Sequence, residues 1–341
     1  MDIFQYLNKK DALRDMSNEA FAEFSPIFAN ALLDYGFENL LKYYNNSLKT
    51  NAKDWNDLCN KTIEQNHISS TSTIGLSIIR RFMPHLYDVE NYKGNSVKKL
   101  WVYANILKAV QVNRQSHSTP YISEIIRQIG FVAGTSKVTI YRPLLTKRIV
   151  EYFDAKEVLD VCVGWGGRML GSACQKNVKY TGIEPYTKTF QGLQGMVEEF
   201  KLSNVTLFND CAENVLPNME RKYDLALTSP PYYNLEVYSD ENTQSHHYGS
   251  YEDWIKLFLR PVIYGVLSVL KEGGKSAWSV KNIKTDKKYN LYDDVVKIHK
   301  EKGWEKMEVE FYVGNPVRPG NNVDKNGKTN TGQEFTYIFY K

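Results

Sequence analysis

Three stretches of the chain hold residues whose types and spacing could do chemistry. The first is Val158–Gly171, VLDVCVGWGGRMLG, where a β-forming run reaches an acid, Asp160, and tips into clustered glycines. Gly164, Gly166 and Gly167, with Trp165 among them, can take positive φ and place no side chain in a ligand's way, so a small cofactor could sit directly on backbone. Dinucleotide sites and ordinary α/β turns use glycine in the same way, so this turn alone selects no ligand. The second is Glu184 in YTGIEPY, a carboxylate placed to accept from both hydroxyls of a ribose. The third is Thr228–Tyr232, TSPPY, which follows the strand-like YDLAL and puts a hydroxyl, two prolines and a ring where a strand meets its loop.

The third stretch suits the activation of a conjugated amine. An exocyclic amine of cytosine or adenine is a poor nucleophile, because its lone pair is delocalised into the ring, and acceptors placed against its two hydrogens make the nitrogen more tetrahedral. The Pro230 carbonyl, fixed in direction by Pro230 and Pro231, and the Ser229 hydroxyl are such acceptors, while Tyr232 offers a face for a base to stack on. Attack on a methyl group can then be direct and in line. Methylation at cytosine C5 would need an activated thiol, typically in a Pro-Cys pair, and the sequence contains no Pro-Cys.

On the glycine-rich turn followed by TSPPY, the chain resembles the S-adenosylmethionine-dependent methyltransferases that modify exocyclic amines of nucleobases, whose second signature is (Asp/Asn/Ser)-Pro-Pro-aromatic. The resemblance implies S-adenosyl-L-methionine as cofactor, with Asp160 on its amino group, Glu184 on its ribose, and close approach at Gly164, Trp165 and Gly166. Substituting Gly166 by Val is expected to exclude the cofactor without unfolding the chain. By the same resemblance Asp210 accepts from the adenine amine, with the Cys211 backbone nearby, and Thr139–Pro143, including Arg142, lies beside the methionine end. Ser229, Pro230, Pro231 and Tyr232 are the implied catalytic residues. DNA is the implied partner, its base flipped out to reach the pocket. Ser in the first position favours cytosine N4, with adenine N6 close behind.

RNA and a protein or small-molecule amine stay open as substrates, since glutamine-modifying relatives use a similar Pro-Pro-Tyr loop with Asn first. A non-catalytic nucleic-acid-binding protein on this scaffold is the reading from another class. The two signatures lie about sixty residues apart, room for two α/β units but not for a recognition domain between them. Target selection would then fall to residues 1–135 or to the later loops. This departs from the commonest layouts of the resembling DNA enzymes.

The elements that must position these residues are legible as an alternation. Strand-like Glu157–Val161, Lys179–Ile183, Val205–Asn209 and Tyr223–Leu227 are separated by a helix after Gly167 and one over Thr187–Leu202, with Phe190, Leu193, Val197 and Phe200 on its expected face. This predicts an α/β fold: a doubly wound, mostly parallel Rossmann-like sheet. Pro143 suits the first turn of a helix, and Trp254–Leu270 reads as another helix, interrupted at Pro261. LKEGGKSAWSV reads as turn then strand; its GGKS is no phosphate loop, because the required glycine is Val269. Glu308–Val313 and Phe335–Phe339 predict a C-terminal antiparallel hairpin around a long exposed loop bearing Arg318, Asp324, Lys325 and Lys328. Tyr233–Ser250 is placed to cover the pocket.

Composition sets the outer bounds. At 341 residues and 42% apolar, the chain can bury a substantial core, and two parts are expected: a mainly helical domain over 1–135, possibly for target recognition, and a catalytic domain over 136–341. The net charge of +4 is too mild to imply nucleic acid by itself. Between Arg80 and Arg114, basic residues interleave with Phe82, Tyr87, Tyr92 and Trp101, which fits either a phosphate-holding face or charged helix surfaces over an aromatic core. Polar SSTST at 69–73 reads as a loop or helix entry. Four cysteines without a CxxC pair and six histidines without ligand spacing speak against zinc or a disulfide framework. Without a signal pattern or a span-length apolar stretch, a cytoplasmic or nucleoplasmic location away from membranes is expected. The sequence leaves the oligomeric state open.

Overall fold

The structure, a computed structural model, describes residues 1–47, 51–62, 72–116, 119–132, 138–284, 287–313 and 334–341. Residues 69–71 of SSTST, Ser136, and the loop carrying Arg318, Asp324, Lys325 and Lys328 lie outside that set. Two compact units form, one from Met1–Lys49 with Pro84–Thr139 and one from Thr50–Met83 with Ile140–Lys341. The expected boundary near residue 135 therefore shifts: residues 50–83 belong with the catalytic half. Their attachment is specific. The buried Lys147 ammonium donates to the carbonyls of Leu58, Cys59 and Lys61 at 3.1, 2.9 and 2.9 Å, closing the end of helix Asn51–Asn60. Gly192 and Gly195 let Met83 and Phe82 approach where a Cβ would stand 2.6 and 3.0 Å away.

The larger unit is built on a seven-stranded sheet. Its strands are β1 (Glu157–Asp160), β2 (Lys179–Ile183), β3 (Val205–Phe208), β4 (Tyr223–Thr228), β5 (Leu270–Val280), β6 (Glu305–Val313) and β7 (Glu334–Tyr340). They lie in the order 3-2-1-4-5-7-6, with β7 antiparallel to both of its neighbours and the strands from β3 through β5 parallel. This is the doubly wound Rossmann-like sheet with its C-terminal antiparallel hairpin. The strand order reverses between β1 and β4, so the loops leaving those strands diverge and open a crevice at their carboxyl ends.

Local sequence explains the departures. The pairing of β4 with β5 jumps from Tyr223↔Leu270 to Leu225↔Lys275, and the extra KEGG residues bulge there with Gly273 at φ +76°. GGKS thus belongs to an irregularity at the amino end of a strand, opposite to the crevice. Helix Thr187–Phe200 buries Thr189, Leu193 and Met196, whereas Phe190, Val197 and Phe200 are half-buried. The expected face is rotated because residues 50–83 cover a second side, with Trp55 packing on Phe200 at 5.1 Å. The helix across Pro261 runs as α-turn Tyr251–Trp254, π-turn Ile255–Leu259 and α-helix Arg260–Val269. A π-turn shifts the ladder just where proline lacks a donor.

The smaller unit is helical, with Asn18–Tyr35, Phe37–Ser47, Tyr103–Ser116 and Ile122–Val132 around a core containing Phe24, Phe28, Leu32, Trp101 and Ile106. Several of the basic residues read as a phosphate-holding face are bound to protein partners instead. Lys98 pairs with Glu38 and Asp88, Lys99 with Glu90, and Arg114 donates to the Met16 carbonyl over the Phe21 ring. In the larger unit, Arg81 pairs with Glu199 at 2.7 Å. No helix of the described residues is long and apolar enough to cross a membrane.

Candidate active site

Asp160, Glu184, Asp210 and Ser229 all come off the carboxyl ends of neighbouring strands, as the register Asp160↔Gly182 and Ile183↔Phe208 requires. Between β1 and helix Gly167–Ala173 the chain turns through Gly164 at φ +57° and Gly166 at φ +85°, conformations that side chains rarely adopt. The glycines divide the work. A Cβ on Gly164 would meet nothing nearer than the Cys162 carbonyl at 4.0 Å, so this position faces open space. On Gly166 it would meet Leu193 Cδ2 at 2.9 Å, on Gly167 the Tyr141 carbonyl at 1.9 Å, and on Gly171 the Pro143 carbonyl at 2.1 Å. These three serve close packing. The expectation that Gly166→Val would exclude a cofactor from a folded chain is corrected: the new side chain would enter protein, not pocket.

Asp160 is also corrected. Its carboxylate is fully buried; Oδ2 accepts from Arg168 Nε at 2.7 Å and from the Tyr180 hydroxyl at 2.8 Å, and Oδ1 accepts from Cys162 N at 3.3 Å. Arg168 also donates to the Cys162 and Val163 carbonyls. Asp160 therefore fixes the turn from inside rather than presenting a free oxygen to a ligand's amine. Burial alone would lower the pKa of Arg168, but the ion pair outweighs it and raises it. An arginine placed right after the glycines in an otherwise apolar helix was the available sequence signal for this pair.

Glu184 accepts from Gly164 N at 2.8 Å and from Tyr186 N at 3.0 Å, one bond on each oxygen. Burial pushes its pKa up from 4.5 to about 7, outweighing those two bonds. Asp210 is exposed, with Oδ1 accepting from Cys211 N and Asn214 Nδ2. Cys211 is half-buried, and its thiol is pushed up to about 11 by burial, then by Glu213 and Asp210, so it stays protonated. Trp165 is buried with its ring 5.9 Å from that of Tyr238. Arg142 caps helix Pro143–Tyr152 and sends its guanidinium to the Ser72 carbonyl at 2.8 Å.

The Ser-Pro-Pro-Tyr loop is tied to β5 by a single acceptor. The Ser279 carbonyl takes the hydroxyl protons of Ser229 at 3.1 Å and Tyr232 at 3.2 Å. With its proton so engaged, Ser229 Oγ can only accept from anything on its other side. Pro230 is buried, and among the described residues no donor is bonded to its carbonyl. Tyr232 and Pro231 are half-buried. Burial, with Glu334 close by, raises the Tyr232 hydroxyl well above its ordinary pKa, so it remains a donor. Beneath the loop, a buried chain joins Ser279 Oγ to Thr336 Oγ1 at 2.6 Å and Thr336 to the Tyr141 hydroxyl at 2.7 Å. Sequence reasoning missed Ser279, whose contribution is a backbone carbonyl that no residue type announces.

Beyond the loop, Tyr233 takes φ +48° while packed against Tyr251 and Tyr289, a strained conformation that turns the chain back across the strand ends. Within Tyr233–Ser250, Glu241 accepts from Thr187 N at 3.3 Å and the Tyr248 hydroxyl donates to Glu213 at 3.2 Å. The segment thus spans from the proline loop to the ends of β2 and β3.

No family model and no curated protein matches the chain. Among solved structures it is similar to TrmN from Thermus thermophilus (17% identity, 58% of this chain and 48% of that one, TM-score 0.40), so it spans about half of TrmN. It is also similar to a SAM-dependent O-methyltransferase from Thermotoga maritima (16%, 62% and 69%, 0.39) and to NSun6 from Pyrococcus horikoshii with SFG (20%, 62% and 54%, 0.42).

Proposed function

We propose that this protein is an S-adenosyl-L-methionine-dependent amino-methyltransferase of DNA, acting on cytosine N4 in preference to adenine N6. The residues at the crevice fit the cofactor. Gly164 leaves open space above the turn; Glu184, already held by two backbone donors, has lone pairs left for ribose hydroxyls; Asp210, bonded only through Oδ1, can take an adenine amine on Oδ2. Asp160 acts through the turn, and Arg142 and Tyr141 flank the chain entering it. When bound, the cofactor supplies an electrophilic methyl group on a sulfonium.

One observation carries the amine reading: Ser229 gives its proton to Ser279, beside a Pro230 carbonyl that has no donor of its own. Two acceptors without competing protons match the two hydrogens of a conjugated amine and favour its pyramidal, nucleophilic form. The half-buried Tyr232 ring, fixed through its hydroxyl, is available to the base. A base inside a duplex cannot reach such a loop, so single-stranded or flipped-out target is needed, at a few kcal/mol. The helical unit is the candidate for target selection. The test is to incubate the protein with methyl-labelled cofactor and DNA, RNA or total protein, then identify the methylated species by mass. N4-methylcytosine in DNA is expected. N6-methyladenine alone would change the base, label confined to RNA or protein would change the substrate, and absence of transfer to all three would end the proposal.

A further inference from the structure

We propose that Glu236 reads the atom next to the amine: its neutral carboxyl donates a hydrogen bond to the ring nitrogen beside the amino-bearing carbon of the target base. The assignment rests on the amine-holding reading of Ser229–Tyr232. In cytosine and adenine alike, the amine that offers two donors is flanked by a ring nitrogen that only accepts. A loop made of acceptors satisfies the amine and leaves this nitrogen without a partner, which in a closed pocket costs about 1–3 kcal/mol. A donor is therefore required beside the loop. The Tyr232 hydroxyl is bonded to Ser279, the Tyr238 hydroxyl to Glu236, and Lys281 Nζ lies 3.7 Å from Glu334.

Glu236 is placed between the two halves of the site. Through Oε2 it holds Tyr238, whose ring stands against Trp165 of the glycine turn; on its other side it faces Glu334 at the start of β7 and Lys281 after β5, close to Tyr232. Burial first, and the like charge of Glu334, raise the Glu236 pKa against the opposing pull of Tyr238 and Lys281. The proton belongs on Oε1, the oxygen that Tyr238 leaves free. Guanine, whose ring nitrogen beside the amine carries a hydrogen, would meet donor against donor and be rejected.

The experiment measures kcat/KM for methyl transfer to a single-stranded cytosine-containing oligonucleotide across pH, and the oligonucleotide's Kd by calorimetry. Wild type, Glu236→Gln and Glu236→Ala are compared. In wild type both quantities should worsen as pH rises and the carboxyl ionises. Glu236→Gln, whose amide N–H donates at every pH, should lose that alkaline decline, and Glu236→Ala should lose about tenfold or more in each quantity. Active wild type with both variants matching it in pH profile and Kd overturns the role of Glu236 alone. Wild type that transfers methyl to no amine overturns the amine reading and this assignment with it, and is recognised before any variant is made.

Discussion

Gly164 and Gly166 are two residues apart in one turn, yet they answer to different neighbours. Alanine at Gly164 must hold φ +57°, at roughly 1–2 kcal/mol, and its methyl group would project into the open side of the turn. Gly164→Ala should therefore melt only a few degrees below wild type while its Kd for S-adenosylmethionine, read by calorimetry, rises tenfold or more. Valine at Gly166 would place branched carbon against Leu193 and Met196 at φ +85°, so the same measurements should give a destabilised chain in which the binding loss follows from unfolding. Equal melting temperatures for the two variants, with equal loss of binding, would mean that both glycines face ligand.

Helix Asn51–Asn60 owes its place to one residue of another helix. Lys147, about 5% exposed, spends its three protons on the carbonyls of Leu58, Cys59 and Lys61, closing a helix end that has no glycine cap. Lys147→Met keeps the stem but strands these acceptors, and should cost about 2–3 kcal/mol, with hydrogen exchange accelerated first over residues 51–62. Unchanged protection there would remove Lys147 as the anchor. The sequence could not reveal this contact, because nothing local to residues 51–62 points toward a lysine some ninety positions later. What was legible at the element scale is what a local pattern encodes: apolar runs broken by glycine gave the order of the strands, and Pro143 marked its helix. In the site, Glu184 and Ser229–Tyr232 were legible because residue type and strand end coincide. Asp160 was misread since its role depends on Arg168 and Tyr180 turning inward, and helix Thr187–Phe200 was rotated because its second cover comes from residues 50–83.

Across the whole molecule, two buried groups titrate with opposite consequences for stability. His299 lies between Ser276 and Val295: Trp278 donates to Ser276 Oγ, Ser276 in turn to Nε2, and Nδ1 donates to the Val295 carbonyl, a sequence of bonds that closes only for the neutral ring. Burial lowers its pKa from 6.5 to about 4. Because the unfolded chain binds the extra proton, stability due to His299 is complete above pH 6.5 and is lost as pH falls toward 4, by about 3 kcal/mol. Glu184 runs the other way. With its pKa raised from 4.5 to about 7, the folded chain binds the extra proton, and stability is complete below pH 4.5 and lost as pH rises through 7, again by about 3 kcal/mol. In the protein without cofactor the two slopes oppose each other over the same window. Glu184→Gln should unmask the histidine: a constant offset from the altered hydrogen bonds aside, the variant-minus-wild-type stability should climb between pH 4.5 and 7. Ribose hydroxyls that bond the carboxylate would lower the Glu184 pKa, so S-adenosylmethionine should bind wild type more tightly as pH rises toward 7 and bind Glu184→Gln without that trend. Chemical denaturation and calorimetry over the window check both expectations, and a flat stability difference joined to a pH-independent Kd would place Glu184 outside the cofactor site.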